Sequence, residues 1–150
     1  MTIGFTPGGV LKVPLAGGRQ AYALMLSVFP DIAFYRTEGQ QSIGEAMRNS
    51  PAFIIGVVRN AYSRGRWGKL VAHVTPDQIP STPAYFRQSR VNPKECYLVD
   101  SSGNATKVAP ADCVGYEREA AWAAEHVESR LEDLYAGRPS AVVEATRLII

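Results

Sequence analysis

A chain of 150 residues and 16.3 kDa, 46% hydrophobic and 20% charged with a mean hydropathy of -0.09, has the composition of a folded domain and excludes a disordered or fibrous one. It is long enough to bury one sizeable core without metal or disulfide support, so a single domain over residues 1–150 is expected. The net charge is only +2, yet residues 1–94 carry eleven Lys and Arg against four Asp and Glu, whereas residues 95–150 carry five against ten.

The first stretch of the chain reads as strands punctuated by turns. Val10, Leu11, Val13 and Leu15 form an extended apolar run, and Pro14, which lacks a backbone donor, suits an edge or a strand end. Gly17 and Gly18 adopt positive φ without steric cost, so Ala16 to Arg19 is expected to turn the chain into a return strand over Gln20 to Phe29. A third strand follows at Ile32 to Tyr35. The run Ala21 to Leu26 is far below the roughly 20 apolar residues that cross a bilayer. Met1 to Gly9 has no Lys or Arg with which a signal peptide would begin. No membrane association and a cytoplasmic location are expected.

Ile43 to Asn49 fits a short helix stopped by Pro51, and Ala52 to Val58 is a branched apolar run expected as a strand covered on both faces, with Gly56 marking a bulge. Arg59 to Lys69 mixes Arg59, Arg64, Arg66 and Lys69 with Tyr62 and Trp67, and Leu70 to Val74 reads as another strand. Thr75 to Pro93 holds four of the ten prolines and is expected to be a stiff surface connection that carries Tyr85 and Phe86. Glu95 to Asp100 and Thr106 to Val108 flank Gly103 and Asn104 and predict a second hairpin. Pro110 to Val114 fits one helical turn, and Tyr116 to Trp122 a further strand. The clearest helix is Ala123 to Ala136, with Val127, Leu131, Leu134 and Tyr135 on one face and Gly137 as its stop. Ala141 to Ile150 fits either a strand or a short helix.

The chain has no phosphate-binding loop, dinucleotide fingerprint or HExxH motif, and no cofactor, metal or catalytic residue is assigned. His73 and His126 are read as structural. Cys96 and Cys113, 17 residues apart, fit neither a CxxC pair nor a zinc site and are expected as two reduced thiols. Two surfaces invite a partner. Glu125, Glu128, Glu132 and Asp133 make the solvent face of the long helix acidic, either a solvated face or a mimic of phosphates toward a basic partner. Arg64, Arg66 and Trp67, together with Arg59 and Lys69, could follow a phosphate backbone while an aromatic ring stacks on bases. Trp67, Tyr85 and Phe86 are the aromatic residues expected to anchor an interface, provided that they are exposed.

Three stretches in order carry a resemblance: PGGVLKVPLAGGRQAYALML with IAFY; FIIGVVRNAYSRGRWGKLVAHV; and DCVGYEREAAWAAEHVESRLEDLYAGRPS. Together they resemble the immunity protein 26 family of bacterial polymorphic toxin systems, through the glycine-rich start, the Gly-Arg-Trp of residues 65–67, and the Glu-Arg-x-Ala-x-Trp segment with its His-Val-Glu helix. Gly9, Val10 and Ala124 depart from the pattern. With the strands above, the resemblance implies a mostly β domain (α+β): a strongly bent antiparallel sheet or small barrel, with one C-terminal helix packed on it. It also implies a cytoplasmic antidote, not an enzyme, that binds and neutralises a cognate toxin domain. Against a nuclease, the acidic helix would meet a basic cleft; the alternative is a nucleic-acid-binding module built on Arg59 to Lys69.

Overall fold

The computed structural model describes residues 2–150. Its larger sheet has six strands. Strand β1 (Gly9–Pro14) pairs antiparallel with β2 (Gln20–Met25), which pairs with β3 (Asp31–Arg36), which pairs with β4 (Phe53–Val57). A two-residue strand, β5 (Ala72–His73), lies against the first residues of β1. The smaller sheet is β6 (Tyr85–Gln88), β7 (Cys96–Val99) and β8 (Ala105–Val108), again antiparallel. A final short strand, β9 (Ala121–Trp122), runs parallel to β4 at the far edge of the larger sheet. The chain is thus mostly β, and its two sheets stay open, so the barrel alternative is not taken.

The opening hairpin forms as its composition dictates. Gly17 and Gly18 sit at φ 71° and 74°, and Pro14 closes β1 beyond the two residues that pair with β5. Side chains alternate across the sheet: Leu11, Val13, Ala23, Met25, Ile32 and Phe34 face one core, whereas Val10, Tyr22, Leu24 and Ala33 face another. Both faces are covered. The first core is closed by α2 (Ala124–Tyr135) through Val127 and Leu131; the second by α1 (Ile43–Ala46), whose Ser42 and Glu45 form a capping box, and by Val74.

Several expectations need correction. The strand expected over Leu70 to Val74 is only Ala72–His73, and the return strand ends at Met25, not Phe29. Gly56 is not a bulge: it pairs with Asp31 on one side and Ala121 on the other, and a Cβ there would lie 2.8 Å from the Ala120 carbonyl oxygen. The glycine lets the neighbouring backbone approach. Thr75 to Pro93 is not all connection, because β6 lies within it and Phe86 is buried. Most of Tyr116 to Trp122 is a strap: Phe86 N–H donates to the Glu117 carbonyl and Glu119 N–H to that of Phe86, before β9 joins β4. The strap ties one sheet to the other. The last segment resolves as a short helix, α3 (Ala141–Ala145), followed by residues without regular secondary structure, and no helix among the described residues is long and apolar enough to cross a membrane.

Candidate functional site

The acidic face of α2 and the arginine–tryptophan loop meet. Gly65 and Gly68, at φ 89° and 74°, turn the loop back on itself so that Arg66 and Trp67 point at the helix. Arg66 Nε and Nη2 donate to the two oxygens of Glu128 at 2.8 and 2.7 Å, and Nη1 donates to Glu125 at 3.1 Å. Trp67 Nε1 donates to the same Glu128 at 2.9 Å. These donors hold the Glu128 carboxyl below the usual carboxylate range, the Arg66 guanidinium contributing most, and Glu128 in turn raises Arg66. The Trp67 ring packs edge-on to Phe34 and stacks with Tyr62.

The rest of the acidic face is also engaged. Glu132 accepts the Ala16 N–H at 2.8 Å, which fastens the first hairpin turn to the helix. Tyr135 donates to the Gln20 carbonyl and accepts from Thr37 N–H, with the Arg36 guanidinium over its ring. Asp133 is buried instead of solvated; it binds Arg138 Nε and the Ala141 N–H, joins α2 to α3, and is held below its ordinary pKa by those bonds. Part of the lengthwise charge asymmetry is neutralised by folding, since Arg66–Glu125, Arg66–Glu128 and Arg87–Glu119 join the basic half to the acidic half.

This placement corrects the expected anchors. Trp67 is 2% exposed and Phe86 4% exposed, so both are core residues and neither presents a ring to a partner. Tyr85 is half-buried and donates to Asp31 Oδ1 at 2.8 Å. Tyr62 is fully buried, Arg59 lies over the Phe29 ring and Arg66 is paired, so among the described residues Arg64 and Lys69 are the exposed cations of this segment with no such contact, and it offers no free stacking ring.

A second feature gave no local signal in the sequence. A cavity of about 550 Å³ opens between the strap, the start of α2 and the C-terminal segment, and Phe86, Val114, Tyr116, Trp122, Val143 and Leu148 are among the residues that line it. Arg118 projects here from the strap: its Nε donates to the Thr146 carbonyl at 2.7 Å and its guanidinium lies over Phe86 at 4.7 Å. Burial, with Arg90 nearby, holds the Arg118 pKa down. Gln88 secures the segment that forms one wall by exchanging two hydrogen bonds with the Ile149 backbone. Arg90, Arg118 and Arg147 come together only in three dimensions, and no spacing in the sequence marks them.

His73 and His126 are both exposed, and among the described residues no three His, Cys, Asp or Glu side chains are grouped to hold a metal ion. Cys96 and Cys113 lie together under the smaller sheet with their sulfurs 2.9 Å apart. In comparisons with protein-family models, with curated proteins and with solved structures, nothing matches this chain.

Proposed function

We propose that the chain is a cytoplasmic immunity protein of the immunity protein 26 type, which neutralises a cognate toxin domain by stoichiometric protein binding. The observation that supports this reading is the convergence on α2 of the three stretches that carry the resemblance. The first hairpin reaches it through Ala16 and Gln20, and the Gly-Arg-Trp loop reaches it through Arg66 and Trp67; the helix that receives both belongs to the third stretch. Residues far apart in sequence that share one hydrogen-bonded junction explain physically why those motifs would occur together. On this reading the motifs are scaffold, and recognition lies on surface that the scaffold leaves free.

An antidote of this kind acts by occupancy. It needs fast association and a desolvated centre that releases its partner slowly. The test is to look for a neighbouring gene that encodes a large secreted protein with a variable C-terminal domain, and to co-express that domain with the chain. Restored growth and a stoichiometric complex that co-purifies are expected. Equal toxicity with and without the chain, and no complex, would refute the reading. Binding to DNA or RNA by the isolated chain at low salt, lost steeply as salt rises, would favour the nucleic-acid alternative instead.

A further inference from the structure

The charges of α2 are spoken for, whereas two cations around the cavity are not. Glu117 at its edge is held bidentately by Arg130, Glu119 is paired with Arg87, and Glu144 faces Arg147. Among the described residues no carboxylate pairs with Arg90 or Arg118, two cations close enough to repel one another. The mouth is apolar: Val114 is 61% exposed and Tyr116 43% exposed. Apolar groups of this size left in water beside unpaired cations are the surface features of an unfilled interface.

We propose that this cavity is the docking surface for the partner protein, and that it accepts an apolar side chain carried on an acidic segment whose carboxylates seat against Arg90 and Arg118. The inference rests on the immunity reading above and adds the site and the charge of the partner. The volume of about 550 Å³ accommodates a large side chain with its flanking backbone. Trp122 and Leu148 supply an apolar floor. Arg118 is fixed by the Thr146 carbonyl and by its stack on Phe86, so little side-chain freedom remains to be lost on binding. A bound carboxylate also relieves the repulsion between two guanidinium groups. The partner surface recognised is therefore acidic, the reverse of the basic cleft that an acidic helix would select.

The experiment is co-expression and affinity measurement with the cognate toxin domain that the co-expression test above identifies, using Val114→Asp and Arg90→Glu. Both positions are exposed, and among the described residues neither side chain hydrogen-bonds or pairs with the rest of the fold. Val114→Asp should keep the wild-type unfolding midpoint and Arg90→Glu should keep or slightly raise it, because the repulsion with Arg118 ends; each should weaken binding by about tenfold or more and reduce protection, with the loss for Arg90→Glu appearing partly in association rate. Lys107→Glu, an exposed cation on β8 outside the cavity, should bind as the wild type does. Wild-type affinity and protection in both cavity variants would overturn the docking site while leaving the antidote reading intact. Failure of the wild-type chain to protect removes both. A small apolar acid that native mass spectrometry finds in the purified chain and still bound in the toxin complex would make the cavity a ligand site, and would equally overturn the proposal.

Discussion

Trp67 and Glu128 stand 61 residues apart in sequence and join through an indole N–H and a carboxylate oxygen 2.9 Å apart. The ring is 2% exposed, while the carboxylate also receives Arg66 at the surface. One acidic side chain thus satisfies a buried donor and an exposed one together. The junction orders the loop between β4 and β5 and fixes α2 over the sheet.

Replacing Glu128 with Ala strands the Trp67 N–H without an acceptor and should lower stability by about 1–3 kcal/mol in chemical denaturation. Glu128→Gln keeps an acceptor for the indole and should lose less. Its effect on pH dependence is more telling. The folded-state pKa of Glu128 lies below its unfolded value, so its contribution is fully present above the ordinary carboxylate range and is lost as pH falls through the folded-state value. The Gln variant should therefore show a flatter decline in stability on acidification. An unchanged acid limb would remove Glu128 as a source of that decline.

Asp31 and Tyr85 have the opposite sign. Burial raises the Asp31 pKa, and the Tyr85 hydroxyl, 2.8 Å away, pulls it partly back. A carboxyl whose folded-state pKa is raised weakens the fold as pH climbs through that value. Tyr85→Phe removes the one side-chain donor that favours the ionised form, so the loss of about 1–3 kcal/mol should be present near neutrality and shrink once Asp31 is protonated. Stability measured against pH separates this from simple loss of packing, which would be equal at both ends.

What the sequence disclosed was local. Gly17 and Gly18 announce a turn, Val127 and Leu131 the buried face of α2, and Gly137 its end, because each depends on residues a few positions away. What it withheld was decided by distant partners. Phe86 reads as part of a proline-rich connection until Leu98 pairs beside it and the strap crosses it at Arg118. The acidic helix face reads as solvated until Arg66, Trp67 and Ala16 arrive from elsewhere in the chain. Arg90 and Arg118 carry no spacing signal at all, since only the strap brings them together.

Gly56 tests how closely the strap must approach. A Cβ at this position would lie 2.8 Å from the Ala120 carbonyl oxygen and 3.3 Å from Pro30 Cγ, contacts that the backbone on either side cannot relieve by rotating a side chain. Gly56→Ala should push β9 from β4 and destabilise by about 1–3 kcal/mol, as overpacking does. Gly4→Ala, where a Cβ meets nothing within 4 Å, is the control and should leave the unfolding midpoint in place. Equal midpoints for both variants would mean that the strap shifts at no cost.

Cys96 and Cys113 pin the smaller sheet to the turn at Pro110–Cys113, each with 0% exposure. Burial, and then the neighbouring Cys96 sulfur, pushes the Cys113 thiol up to about 12. Only the thiolate attacks an alkylating agent, so at about pH 8 this thiol is doubly protected, by its charge state and by lack of access. Iodoacetamide should modify Cys113 in the native chain more than about a hundredfold more slowly than in denaturing guanidinium, read by mass spectrometry of the peptide that contains it. Fast labelling of the native chain would show that β7 and the Cys113 turn separate readily. The wall of the cavity that Cys113 helps to form would then be a mobile surface instead of a preorganised one.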